Sequence, residues 1–204
     1  IKTELSKHSK VKAVTVVHAE TSTGVLSPLE DLADIIHAKD ALFMVDAVTS
    51  LGGVRLEVDK WGIDVCFSGT QKCLACPPGL APITVSDRGY AALTERRSPP
   101  QSWYLDLNLL SGYWSESRTY HHTPPVSMIY GLREGLRVVL EEGLDSRFQR
   151  HARAASGLRA GLKALGIGLF AKEDSRLDTL TSVIIPNGVV DANVRRKLLK
   201  NYSI

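Results

Sequence analysis

Two side chains with complementary chemistry follow two short apolar runs in the first half of the chain. The run Leu42–Val45 leads into Asp46, and the run Asp64–Phe67 is followed by Ser-Gly-Thr-Gln and then Lys72. Short, continuously apolar runs are typical of strands buried on both faces of a parallel sheet. Ligands of open α/β sheets bind beyond the carboxyl ends of the strands, so we expect this carboxylate and this amine to act on one ligand.

The chemistry predicted for this pair is a lysine that forms a Schiff base beside an acid that tunes a bound ring. A lysine amine is a weak nucleophile while protonated, and burial or a neighbouring cation frees its lone pair. Lys72 lies between an apolar strand and a Pro-Gly turn, so we expect it to be buried. Asp46 needs a partner at the end of an apolar strand, and a protonated pyridine nitrogen is one such partner. Taken singly, Lys72 could equally be a surface lysine in a turn, and Asp46 a helix cap or loop acid. Together they favour a shared cofactor site.

An α/β architecture with a mainly parallel, right-handed sheet is expected to position these residues. The β-branched run Val11–Val17 predicts a first strand, and Leu42–Val45 and Val65–Ser68 predict two more. Between the first two, a helix should begin at Pro28, because the apolar residues after it recur at helical spacing: Leu29, Leu32, Ile35 and Ile36.

The rest of the chain predicts a change of organisation near Gly143. The expected elements are a strand at Ala81–Val85, a helix at Asp87–Arg96, an aromatic loop at Pro99–Pro125, helices at Val126–Glu142 and Asp145–Leu165, a strand at Thr181–Ile185 and a helix at Asp191–Lys200. We therefore expect the C-terminal part of one large domain at 1–143 and the beginning of a smaller one at 144–204. The first residue is Ile1, not Met, and the chain stops soon after a basic helix, so we expect a fragment of a longer protein.

Composition argues against nucleic acid and membrane as partners. Hydrophobic residues make up 44% and charged residues 23% of the chain, with a net charge of +3, as in an ordinary globular protein. The basic clusters Arg96-Arg97 and Arg195–Lys197 are expected to be solvated surface. No apolar run is long enough to cross a bilayer. We expect an intracellular protein, in the cytoplasm first, with peroxisome or mitochondrion as alternatives in a eukaryote.

Cysteine and histidine pairs suggest metal or redox chemistry only weakly. Cys73 and Cys76 have CxxC spacing, which fits a redox pair or half a zinc site, but no second pair completes such a site. We expect three reduced, partly buried thiols and no metal. His121 and His122 lack nearby carboxylates, and His18 is expected to be structural or to lie beside the site.

Five further groups of residues form motifs that can be compared with known families: His18–Val25, Val45–Gly53, Ser68–Lys72 with Pro77–Gly79, Tyr104–Leu107 and Arg118–Pro124. Together they resemble the motifs of class V aminotransferases of fold type I, in particular the alanine–glyoxylate and serine–pyruvate branch. The resemblance runs from about Val11 to Pro186.

The resemblance implies a role for each matched residue around pyridoxal 5′-phosphate. Lys72 matches the lysine that carries the cofactor as an internal aldimine and then moves the proton. The other implied contacts are Asp46 with the pyridine nitrogen, Val48 with the ring face, Thr21 near the 3-oxygen, Gln71 on the phosphate side, and Tyr120 with Thr123 at the cofactor phosphate of the neighbouring subunit in a homodimer. From the residues alone, Arg118–Pro124 could instead be an aromatic loop packed on its own domain.

The implied reaction moves an amino group from alanine or serine to glyoxylate or pyruvate, so small amino acids and 2-oxo acids are the expected substrates. The phosphate turn, the ring-stacking aromatic residue and the carboxylate-binding arginine of the family are expected outside this chain. Two alternatives stay open: another class V reaction, such as that of a desulfurase or lyase, and a non-catalytic dimerising fragment.

Overall fold

The computed structural model describes residues 1–204 as strands and helices that alternate in the first half and as mostly helices in the second. In chain order the elements are α1 (Lys2–Leu5), β1 (Ala13–Val17), β2 (Ala19–Glu20), β3 (Val25–Leu26), α2 (Leu32–His37), β4 (Leu42–Asp46), β5 (Val65–Phe67), β6 (Ile83–Val85), α3 (Asp87–Thr94), α4 (Leu107–Trp114), α5 (Val126–Glu142), α6 (Leu144–Ala164), a 3-10 turn (Glu173–Ser175) and α7 (Asp191–Tyr202).

The main sheet has the strand order β1-β4-β5-β6, and β2 pairs with β3 in a separate ribbon. β1, β4 and β5 are parallel, whereas β6 runs antiparallel to β5. The expected α/β class with a mainly parallel sheet is confirmed. Val17, Asp46 and Phe67 are in register across the three parallel strands, so the segments that follow them leave the same edge of the sheet.

The main core lies under β4, because its alternate residues Phe43 and Val45 are fully buried. They belong to a cluster that includes Ile36 of α2 and Trp61 and Ile63 of the segment before β5. β1 is less buried than its apolar sequence predicts: its residues are alternately exposed and half-buried, since it has a neighbouring strand on one side only.

Three elements differ from those predicted. The helix expected at Pro28 begins only at Leu32; the Leu29 amide donates to the Glu30 carboxylate at 3.0 Å, and such local bonds compete with helix formation. Inside the stretch predicted as loop, α4 forms with the Asp106 carboxylate capping the Asn108 amide at 2.9 Å. The strand expected at Thr181–Ile185 is absent, because only a single bridge between Leu169 and Val183 forms there.

Two long helices meet at one glycine. α5 ends at Glu142, as the sequence predicts, and α6 begins at Leu144. Gly143 between them has φ +78°, a backbone conformation that favours glycine and breaks the helix. No helix of the structure combines the length and the apolar character needed to cross a membrane.

Candidate active site

The segments that follow β4 and β5 are bonded to each other at the carboxyl edge of the sheet. The Ala47 amide donates to the Phe67 carbonyl at 2.8 Å, and the Ser68 hydroxyl donates to the Ala47 carbonyl at 3.0 Å. The loops that carry Asp46 and Lys72 therefore start side by side, as their strand positions predict.

Lys72 lies in a tight loop organised around the buried side chain of Thr70. The Thr70 hydroxyl donates to the Pro77 carbonyl at 2.7 Å, and its carbonyl accepts from the Cys76 amide at 3.0 Å. Because Thr70 and Leu74 turn inward, Lys72 between them turns outward and is exposed. The expected burial of Lys72 is wrong in this structure.

Asp46 is half-buried at the end of β4. Its Oδ1 accepts the Val48 amide at 2.9 Å, which fixes the carboxylate across the turn that leaves the strand. Burial, and then the charge of Asp46, raise the pKa of the Cys66 thiol to about 11. A ligand that approaches this edge thus meets a held carboxylate, while the nearby Cys66 thiol is buried and uncharged.

A cavity of about 580 Å³ opens on the side of the sheet edge that faces α6. It brings together two of the residues that the resemblance places at the cofactor, Lys72 and Thr21. Asp46, Val48 and Gln71 lie on the adjoining segments but do not line it. The other lining residues are Thr49, Cys73, Ala75, Arg147, Arg150, His151, Leu177, Thr179 and Leu180.

The cavity wall carries cations and no carboxylate. Arg147 and Arg150 of α6 join Lys72 there, beside His151, and the single carboxylate of Glu142 pairs with both arginines from outside the wall. Burial, followed by the charges of Arg150 and Arg147, lowers the pKa of His151 and so favours the neutral imidazole. Such a wall favours an anionic ligand.

Sequence reasoning missed the α6 residues of this wall. Their spacing was the available signal: positions 147, 150 and 151 recur as i, i+3 and i+4 and so share one face of a helix. Polar residues in that pattern more often indicate a helix face in solvent, so the spacing alone does not identify a cavity wall.

The aromatic loop forms a cluster of its own. The Tyr120 hydroxyl lies 3.0 Å from the Thr123 hydroxyl, and Tyr120 is 70% exposed. The ring of His121 stacks on Trp103 with 4.0 Å between centroids, and its Nδ1 lies 2.8 Å from Nδ1 of His122. Tyr120 and Thr123 do not line the cavity with Lys72, and their expected role toward a neighbouring subunit stays a prediction.

His18 is only 2% exposed, and its ring packs edge-on against Trp61 with 5.9 Å between ring centroids. Its Nδ1 has no hydrogen-bond partner, and burial lowers its pKa to about 4. It does not line the cavity, which agrees with a structural role.

The three cysteines are free thiols; Cys66 and Cys76 are buried, and Cys73 is half-buried.

The side chains at this edge suit pyridoxal phosphate in kind. The exposed amine of Lys72 can bind an aldehyde. The Asp46 carboxylate uses Oδ1 within the chain, so Oδ2 can accept a hydrogen bond from a ring N–H. The cationic cavity wall suits a phosphate or a carboxylate.

Comparisons with known proteins agree with these features. The family model described as aminotransferase class-V matches residues 2–204. An uncharacterized aminotransferase of Methanocaldococcus jannaschii is 45% identical over 204 residues, which are 100% of this chain and 53% of that protein. The (S)-ureidoglycine–glyoxylate transaminase of Bacillus subtilis is 43% identical over 216 residues, 97% of this chain and 52% of that protein.

Among solved structures, an alanine–glyoxylate aminotransferase from Nostoc sp. superposes with a TM-score of 0.96 at 43% identity. The match covers 100% of this chain and 54% of that one. The chain thus spans about half the length of the relatives it matches.

Proposed function

The chain belongs to the class-V aminotransferase family, and on that premise we propose that the protein containing it is a pyridoxal-phosphate-dependent aminotransferase. The observation that carries the proposal is the pairing of two loops at one sheet edge, one with a held carboxylate and one with an exposed amine. When bound, pyridoxal phosphate supplies an aldehyde for amines and a protonated ring that stabilises a carbanion.

Each residue of the chain then has a stated task. Lys72 Nζ is the amine that binds the aldehyde and that holds and releases the proton moved in the reaction. Asp46 would accept the ring N–H through Oδ2 and keep that nitrogen protonated. The remaining proposed contacts are Thr21 at the 3-oxygen, Val48 against the ring, Gln71 on the phosphate side, and Tyr120 and Thr123 toward the phosphate of a second subunit.

The exposure of Tyr120 and Thr123 supports the homodimer in this proposal. Both side chains are exposed and bonded to each other. One hydroxyl donates within the pair, and the other keeps its proton for an acceptor outside the chain. Neutral donors of this kind suit a phosphate that cations already neutralise elsewhere.

We further propose that residues 1–143 belong to the large domain and residues 144–204 begin the small one, with Gly143 as the junction.

Glyoxylate is the amino acceptor we propose, because the names of two relatives specify it. The donor is a small amino acid, and alanine and serine are our first candidates. The relative from Bacillus subtilis adds (S)-ureidoglycine as a candidate to be tested.

The test uses the full-length protein with pyridoxal phosphate. Borohydride reduction and peptide mapping should place the cofactor on Lys72, and the variant Lys72→Ala should lose both the label and the activity. Lys60→Ala is the matched control, because Lys60 is exposed and paired only with Glu57. A label on another lysine would contradict the assignment.

Substrate assays then separate the reactions open to the family. Each of alanine, serine and (S)-ureidoglycine is supplied with glyoxylate, and formation of glycine is measured. Serine and (S)-ureidoglycine are also supplied with pyruvate, and formation of alanine is measured. Sulfide release from cysteine, without transfer from any of these donors, would favour a desulfurase instead.

A further inference from the structure

Arg147 of α6 is a buried guanidinium that bonds to three separate parts of the chain. Its side chain is 9% exposed. Nε donates to the Gly52 carbonyl at 2.9 Å, Nη2 to the Cys73 carbonyl at 2.6 Å, and Nη1 to a Glu142 carboxylate oxygen at 2.8 Å. Each of its three nitrogen atoms therefore has a partner.

Two of these partners belong to the loops of the candidate site. Gly52 lies in the segment that leaves β4 after Asp46, and Cys73 is the residue after Lys72. The guanidinium is planar, so its N–H groups fix the directions of both carbonyl groups at once. A side chain from a third element thus bridges the two loops, in addition to the direct bonds between them.

Local packing keeps the two loops at the separation that the guanidinium spans. A Cβ added at Gly53 would lie 2.5 Å from Cys73 Sγ, so only glycine allows this approach. Glu142 holds the other side of Arg147 and also bonds to Arg150 at 3.0 Å. Arg147 is therefore held by the two loop carbonyl groups on one side and by Glu142, at the end of α5, on the other.

We infer that Arg147 is a positioning residue, which fixes the backbone of Lys72 relative to that of Asp46 and makes α6 part of the active site. The inference rests on the proposed function, because it concerns the distance between the amine and the acid that serve one cofactor. Arg147 needs no contact with the substrate in this role.

A lysine at this position cannot replace the arginine. Its single ammonium group keeps the charge but cannot direct N–H groups to two carbonyl oxygens and a carboxylate in fixed geometry. A residue that served only to stabilise the fold would instead change the melting temperature and leave the chemistry of the bound cofactor unchanged.

The experiment compares Arg147→Lys and Arg147→Met with the wild-type full-length protein. Arg137→Met is the control, because Arg137 lies on α5 and its ion pairs with Glu134 and Glu141 stay within that helix. Without cofactor, hydrogen exchange should rise in segments 50–54 and 70–76 of both Arg147 variants and stay unchanged elsewhere. Unchanged exchange in these two segments would overturn the inference.

With cofactor, the pH titration of the absorbance of the lysine-bound form should shift in both Arg147 variants and not in the control. We expect kcat to fall by about a hundredfold in Arg147→Met, with a smaller change in KM, as for a displaced reacting group. If Arg147→Met does not fold, Arg147→Lys carries the same readouts.

Two negative results are distinguishable. A wild-type protein that binds no cofactor at Lys72 would overturn the proposed function and this inference with it. A wild-type protein that binds it, with Arg147 variants that keep its absorbance titration and kcat, would overturn the positioning role alone.

Discussion

The thiol of Cys73 donates a hydrogen bond to the carbonyl oxygen of Thr49, with 3.4 Å between sulfur and oxygen. The two residues follow different strands, β5 and β4, and both line the cavity that contains Lys72. The reactivity of the Cys73 thiol should therefore depend on whether a ligand occupies that cavity.

Alkylation should modify Cys73 before the other two cysteines, because Cys66 and Cys76 are buried. Burial raises the pKa of Cys73, while a hydrogen bond with Thr179 and the charges of Arg147 and Lys72 oppose that shift. The rate of labelling by iodoacetamide should thus rise about tenfold per pH unit below that pKa, since the thiolate reacts. Pyridoxal phosphate should slow it.

Mass spectrometry of the full-length protein, with Cys73→Ser as the unlabelled reference, measures these rates. Equal labelling rates with and without saturating pyridoxal phosphate would show that the cofactor lies elsewhere.

Gly53→Ala should destabilise the protein by about 1–3 kcal/mol, the usual range for overpacking. The new Cβ would meet Cys73 Sγ at 2.5 Å and Thr179 Cγ2 at 2.8 Å. Adding Cys73→Ala removes the sulfur and should restore about 1 kcal/mol of that loss.

Denaturant unfolding of the single and double variants gives the coupling energy between positions 53 and 73. Gly157→Ala on α6 is the control, because nothing lies within 4 Å of a Cβ there, and it should stabilise the helix slightly. Additive effects of Gly53→Ala and Cys73→Ala would contradict the contact.

Ala75→Asn should stabilise the full-length protein by about 0.5–1 kcal/mol, since non-glycine residues other than Asn and Asp disfavour the left-handed conformation. Ala75 has φ +55° and is exposed, so an asparagine side chain can point into solvent. Ala75→Val should have the opposite effect. Unfolding midpoints that rank Val at or above Asn would refute the strain at this position.

Lowering the pH from 6.5 to 4 should reduce the free energy of unfolding through His18. Burial lowers the pKa of His18 from its ordinary value of 6.5 to about 4, so in this range the unfolded chain binds the proton and the folded chain does not. Stability from this group is complete above pH 6.5 and is lost as the pH falls toward 4. The loss should reach about 3 kcal/mol.

His18→Gln should flatten this part of the pH profile, measured by denaturant unfolding at pH 7 and pH 4.5. His8→Gln serves for comparison, because His8 is exposed. A profile that is the same in wild type and His18→Gln would assign the acid sensitivity to other groups.

The elements that sequence reasoning located well are those whose signal is local. β4 and β5 were visible as apolar runs, and α5 as a periodic stripe that stops at Gly143. The placement of Asp46 and Lys72 at one edge followed, because parallel neighbours share an edge.

The parts that it missed depend on residues distant in sequence. The outward direction of Lys72 results from the inward turn of Thr70, whose partners are Pro77 and Leu80. Arg147 bonds to carbonyl groups 95 and 74 residues away, and no local pattern encodes such a bond. The apolar run Thr181–Ile185 forms only the single bridge between Val183 and Leu169, because an apolar run becomes a strand only where a neighbouring segment pairs along its length.

The loop that contains Lys72 connects β5 to β6, which pairs with β5 in the antiparallel direction. Beyond the strand ends, the Ser68 amide donates to the Pro82 carbonyl and the Thr70 amide to the Leu80 carbonyl, which extends this pairing into the loop. Both ends of the loop are thus anchored in the sheet, and its conformational entropy is lost when the protein folds. Little of that entropy remains to be lost on association, so the free energy of ligand binding at this amine is opposed mainly by the ordering of the ligand and of the side chain itself.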